Sequence, residues 1–445
     1  MVRTGILLVV AGVVLLSVCA AGETMQFRGA DGTGVFPEQV LRTNWENGEG
    51  VAWKVANPAA GWAQPVIHGG HLYVAGAVGE GVSKPANFAS GVKSPQSMGV
   101  SLFAKAPKTP LTWKLFCLSL EDGRTLWEQP IVEKLASYPI HPSNSWQTET
   151  PAADDNGVYV FCGAAGVLSA YGHDGQLRWK QDTEVCRTSN GFGTGSSPAV
   201  VDGKVIVQLY GEESAVVRCF DTLTGKPVWQ FERPEKGTSW SSPLVWRNSL
   251  RTEVVCSGGD RLDAFDPATG KVLWTVRKVK AATACSPCCD RERLYFGGSD
   301  PWSKGPLFAV QAGAMGDVTP EKSNEKFTGC AWLSERQGPG MASPVSSGKY
   351  VFTNDNNILK CFDAATGERK YQTRIPGLDM LAASPLLIGD RLLLLDENGK
   401  ACIVKAGAEF EVVGRGALAD TFWATPVVKD GAMYFRGVDG IFCVK

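Results

Sequence analysis

A Ser/Thr-Pro step followed by three short apolar runs recurs along the 445 residues, and a repeat of this length constrains the fold more than any single motif. Three copies are plain. Ser197-Pro198 leads to Asp221, Thr224, Gly225, Lys226 and Trp229; Ser242-Pro243 leads to Asp266, Thr269, Gly270, Lys271 and Trp274; Ser343-Pro344 leads to Asp363, Thr366, Gly367 and Tyr371. Weaker copies complete a series of marker prolines at 65, 151, 198, 243, 287, 344, 385 and 426, and the six intervals after Pro151 average about 46 residues, the length of a four-stranded blade. In the copy from Ser197, Ala199 to Val201, Val205 to Leu209 and Val216 to Phe220 read as strands joined by the Asp202-Gly203 turn, and Pro227-Val228-Trp229 opens a fourth. The expected fold is all-β: an eight-bladed propeller of four-stranded antiparallel blades.

The last copy stops after three strands, while Gly50-Val51-Ala52-Trp53-Lys54 looks like a lone fourth strand. Pairing the two would complete blade eight and leave no open edge. A length that would otherwise suit about three domains then reads as one propeller over 23–445, with an inserted loop at about 77–113. Residues 1–22 read as a signal peptide: Arg3, an apolar run from Gly5 to Val18, then small residues around Cys19-Ala20-Ala21-Gly22. The run is short for a bilayer span, and Val18 stands where a lipid-anchor signal at Cys19 would want a small residue. The expectation is an exported monomer, periplasmic or extracellular, with no transmembrane segment.

Forty-four basic against 45 acidic side chains argue against nucleic acid as a partner. The 14 Trp are read as packing, because an aromatic recurs four residues after the turn glycine at Trp127, Trp179, Trp229, Trp274 and Tyr371. Cysteine is read the same way. Cys117, Cys219, Cys361, Cys402 and Cys443 share one register position with Ala170, Ala264 and Ala309, and Cys162 and Cys256 share another, as small buried fillers do. Cys186, Cys285, Cys288, Cys289 and Cys330 fall outside these slots. Cys285-x-x-Cys288-Cys289 lacks a second ligand pair, so no metal is expected. Only four His are present, and no catalytic motif is found.

With Asp221-x-x-Thr224-Gly225-Lys226-x-x-Trp229 as its best copy, the repeat resembles the pyrroloquinoline-quinone-type propeller repeat over nearly all of 23–445. The leader Phe27-Arg28-Gly29-Ala30-Asp31-Gly32-Thr33-Gly34 is similar to the start of many exported bacterial proteins of this type, with Ala30 in place of Pro. The resemblance implies either a scaffold of outer-membrane protein assembly or a quinone-dependent alcohol or sugar dehydrogenase. The dehydrogenase reading implies pyrroloquinoline quinone with Ca²⁺ against a vicinal disulfide, for which Cys288-Cys289-Asp290 is the candidate. Arg291-Glu292-Arg293-Leu294 departs from the Val-Asn-Arg-Gly that follows in that family, and no cytochrome Cys-x-x-Cys-His is present.

Strand direction assigns the faces. The fourth-to-first and second-to-third connections share one rim, here the first rim. Trp62, Trp240, Met341 and Trp423 stand three residues before a marker proline, with Trp146 nearby, and should converge on the channel mouth; Arg187, Asn190 and His141 lie in adjacent loops. Between Gly81 and Lys114 the chain carries Lys84, Lys93, Lys105, Lys108 and Lys114, no acidic residue, and Phe88, Phe103 and Trp113, suited to a lid or a contact with an anionic surface. The preferred expectation is a noncatalytic, cofactor-free protein that binds proteins, peptides or envelope polymers through this rim. The alternative is the quinone oxidoreductase.

Overall fold

The computed structural model describes residues 26–46, 48–80, 82, 106–277, 284–300, 303–321 and 326–445. The proposed signal peptide and most of the basic insertion, including Lys84, Phe88, Lys93, Phe103 and Lys105, lie outside the described residues. Among the described residues the regular secondary structure is almost entirely strand, the helical element being the 3-10 turn Ser189–Gly191. The strands form eight sheets. Each contains a run of four antiparallel strands, stepping outward from an inner strand that begins at or just after a marker proline. Inner strands pack side by side: Val66–His68 meets Ala152–Asp154, and also meets Val427–Lys429 from the end of the chain. This is a β-propeller arrangement.

The last sheet draws its outer strand from the other end of the chain. Val51–Ala56 pairs antiparallel with Gly440–Val444, placing Trp53 opposite Cys443. Two short N-terminal strands add at the edges of the seventh sheet: Val35–Phe36 beside Leu386–Ile388 and Asn44–Trp45 beside Val412–Ala417, both parallel.

The pairing explains the small-residue slot. Cys117, Ala170, Cys219, Ala264, Ala309, Cys361 and Cys443 lie opposite Trp127, Trp179, Trp229, Trp274, Trp332, Tyr371 and Trp53. A large ring on one strand leaves room for only a small neighbour across the ladder. The seventh sheet breaks the pattern with Arg415 opposite Cys402.

The rings join neighbouring sheets. The indole N–H of Trp53, Trp127, Trp179, Trp229 and Trp332 donates to a turn carbonyl of the next sheet, at Leu120, His173, Thr222, Pro267 and Ala364, over 2.9 to 3.1 Å. The turn glycine lies flat against the ring: a Cβ on Gly225 would sit 2.5 Å from Trp179. Trp274 differs, donating instead to the buried carboxylate of Glu253 at 2.7 Å.

The insertion is shorter than expected. His71–Val78 and Leu111–Ser119 stay paired as far as Val78 and Thr112, because the hairpin arms extend the ladder before the chain departs. The chain passes out of the described residues between the second and third strands of that sheet, at their first-rim end.

Candidate functional site

The three residues before each marker proline lie outside the regular strands, and the first of the three lines the axial cavity at every marker. Immediately before the proline stand Gln64, Thr150, Ser197, Ser242, Ser286, Ser343, Ser384 and Thr425. Their hydroxyls form a belt. The backbone N–H of Gln64 donates to Thr150 Oγ1, that of Thr150 to Ser197 Oγ, and so on through Ser242, Ser286, Ser343 and Ser384 to Thr425, seven bonds of 2.9 to 3.1 Å. Each acceptor hydroxyl keeps its own proton to donate.

Where Gln64 replaces the hydroxyl, the leader enters. Gln64 Oε1 accepts from Arg28 N at 3.0 Å. The Arg28 side chain is fully buried and donates to the carbonyls of Thr33, Pro287 and Pro344. Burial without a carboxylate partner lowers its pKa to about 10. Gln26 Oε1 accepts from Val200 N, Asp31 O from Val245 N and Gly34 O from Leu387 N. Residues 26–34 therefore touch the inner strands or strand starts of six sheets and fill the channel behind the belt.

Above this plug is a cavity of about 350 Å³. Phe27 forms part of its lining, and so do five belt residues, Thr150, Ser197, Ser343, Ser384 and Thr425. All eight residues at the third position before the prolines line it: Trp62, Thr148, Gly195, Trp240, Ala284, Met341, Ala382 and Trp423. Every fourth-to-first connection thus contributes. Trp62 and Trp423 stack at 5.5 Å and 18°, while Trp240 stands three sheets on from Trp62 and four from Trp423, with Phe192 edge-on at 6.0 Å. The indole N–H groups of Trp62 and Trp240 donate to the carbonyls of Ser143 and Gly193, both at 2.6 Å, so neither N–H is left to bond an occupant. Among the described residues the lining contains no charged side chain.

The intermediate position faces away. It holds Ala63, Ser196, Ser241, Cys285, Ala342, Ala383 and Ala424, with Glu149 as the exception. Glu149 is buried beside Gly163, whose N–H it accepts at 3.2 Å, and burial raises its pKa to about 7.

Of the expected rim residues, Trp62, Trp240, Met341 and Trp423 reach the cavity. Trp146 does not. Two residues out of register from Thr148, it is buried in the wall near Tyr138, its carbonyl accepting from Trp113 Nε1. His141 is also buried, bonded to Ser143 and packed on Phe192 at 4.7 Å, behind the lining. Arg187 is exposed and points toward Glu212. Asn190 falls in the turn Ser189–Gly191, with its side chain outside what is described. Cys288 and Cys289 are unbridged; strand alternation sends them into different apolar clusters, away from the cavity. Sequence reasoning missed Phe27, Phe192 and the belt hydroxyls, although the hydroxyl was visible at seven of eight markers.

The family model described as outer membrane protein assembly factor BamB matches residues 114–277, 213–312 and 260–444, well over half of the chain. No curated protein matches the sequence. Among solved structures the chain is similar to BamB from Moraxella catarrhalis, with 17% identity over 88% of this chain and 95% of that one and a TM-score of 0.55. It is also similar to a europium-containing methanol dehydrogenase, with 13% identity, 94% and 90% coverage and a TM-score of 0.61. A quinohemoprotein alcohol dehydrogenase from Pseudomonas putida HK5 aligns with 13% identity, 95% and 80% coverage and a TM-score of 0.58. An assembly factor and two oxidoreductases thus share the fold, which by itself does not separate their functions.

Proposed function

We propose a binding function from a plain premise: the chain belongs to the family described as outer membrane protein assembly factor BamB. The reading is an exported, monomeric, eight-bladed propeller, closed by Val51–Ala56, that acts without catalysis and engages a protein, peptide or envelope-polymer partner at its first rim. The supporting observation is the plugged cavity, to which every fourth-to-first connection contributes and in which aromatic rings and neutral hydrogen-bonding groups meet with no described charged group.

The residues present do not fit pyrroloquinoline quinone. The quinone carries three carboxylates, and a buried anion needs a counter-charge. The described lining offers no Lys or Arg for them and no Asp or Glu for Ca²⁺. Arg28 lies in the plug, committed to carbonyls. No group of three or more His, Cys, Asp or Glu suited to a metal occurs among the described residues.

Adding the quinone with Ca²⁺ and recording visible absorption and dye-linked alcohol oxidation is expected to give neither tight binding nor turnover. Turnover would overturn the proposal. In the converse test, Met341→Arg, at a side chain 38% exposed, should reduce recovery of a partner captured by the wild type from envelope extract.

A further inference from the structure

We infer that the first-rim cavity is a subsite for one uncharged pyranose unit of a glycan, held between the stacked Trp62–Trp423 pair and Trp240. This rests on the first-rim binding reading and names the chemistry of the occupant. Three observations carry it.

Charge comes first. Among the described lining residues ten are neutral hydrogen-bonding Ser, Thr or Asn, five are aromatic and none is ionisable. A carboxylate, phosphate or ammonium entering this cavity would lose hydration with no partner in return, so the occupant is neutral.

Its shape follows from the rings. With the indole N–H groups of Trp62 and Trp240 already bonded to backbone carbonyls, these walls give an occupant apolar ring contact and no hydrogen bond. The aromatic members of the ring sit at Trp423 and Trp62 on one side and at Trp240, three sheets on from Trp62 and four from Trp423, with the small residues Thr148 and Gly195 between Trp62 and Trp240 and with Ala284, Met341 and Ala382 between Trp240 and Trp423. That leaves a slot for a flat body with two apolar faces, as a pyranose presents through its C–H groups. At about 350 Å³, the cavity is at the small end of the roughly 300–1,000 Å³ typical of ligand sites. It suits one or two rings.

The third observation is the floor. Five belt hydroxyls converge there, each with one lone pair occupied by a neighbour's N–H and its proton still available. A circle of neutral donors complements the ring and hydroxyl oxygens of a sugar. An aliphatic or aromatic side chain would leave it unused. The plug at Phe27 and Arg28 closes the other end, so the sugar enters end-on from the first rim, as the terminal unit of a chain.

The test is intrinsic Trp fluorescence and calorimetry with the neutral sugars cellotriose, maltotriose, mannotriose and triacetylchitotriose, with N-acetyltryptophanamide as comparator. At least one trisaccharide should bind saturably. Trp240→Ala should weaken it at least tenfold, Trp240→Phe should restore most of the affinity by restoring a flat face, and Met341→Arg should abolish it while thermal melting confirms a folded chain. If no trisaccharide binds, or only the tryptophanamide does, the glycan assignment falls, and continued sensitivity of partner capture to Met341→Arg leaves the rim reading standing. If Met341→Arg changes neither sugar binding nor partner capture, both fall.

Discussion

Replacing Gly225 with Ala separates the two roles that a turn glycine plays between neighbouring blades. Gly225 has φ +69°, and a Cβ there would lie 2.5 to 2.8 Å from three atoms of the Trp179 ring, which is 8% exposed and donates its N–H to Thr222 O at 2.9 Å. Gly348 has a similar φ of +79°, but a Cβ there would meet nothing within 4 Å, so it isolates the backbone component. A left-handed non-glycine residue costs about 1–2 kcal/mol. Forcing the ring aside adds about 1–3 kcal/mol of overpacking and about 1 kcal/mol for the indole hydrogen bond. Gly348→Ala should therefore lose about 1–2 kcal/mol and Gly225→Ala about 3–6 kcal/mol, measured by guanidinium unfolding followed by circular dichroism. In a Trp179→Leu background the penalty of Gly225→Ala should fall toward that of Gly348→Ala, since the two residues then no longer collide. Equal losses in the two single variants would refute the docking role of the ring.

Glu149 gives a pH prediction. Its folded pKa of about 7 exceeds the ordinary 4.5, so the folded state holds the proton more tightly. Stability is highest below about 4.5 and falls as pH rises through about 7, by about 3 kcal/mol; Glu149→Gln should flatten that slope in melts from pH 4.5 to 8. Ser343→Ala strips the acceptor from the buried N–H of Ser286 and should cost about 1–3 kcal/mol, whereas the same change at the exposed Ser249 should cost little, both read by denaturant midpoint. Thiol titration of the chain lacking residues 1–22 should find twelve free cysteines in denaturant; in the native state Cys330, the one among them that is only partly buried, should react first. A count of ten would mean a bridge, with Cys288–Cys289 the pair to map.

Blade architecture was legible because it is written in local chemistry that recurs. Asp-x-x-Thr-Gly turns, alternating apolar runs and the small residue opposite each closing aromatic specify hairpins and their register wherever they occur, and so Trp127 or Cys219 could be assigned to packing without coordinates. The site was half legible. Position relative to the marker proline picks out Trp62, Trp240, Met341 and Trp423, which line the cavity, whereas proximity in sequence also admits Trp146, which a two-residue offset leaves inside the wall, and His141, which packs behind Phe192.

Repeat length, strand register and the structural use of Trp and Cys follow from the sequence alone, because each depends on neighbours a few residues away. Tertiary structure alone decided that residues 26–34 leave the leader to plug the channel, that hydroxyls spaced about 46 residues apart along the chain join in one belt, and that eight single positions meet as one uncharged cavity. The physical reason is that a propeller's axis is built from contributions far apart in sequence: no local window contains the site, and only the packing of the sheets brings it together.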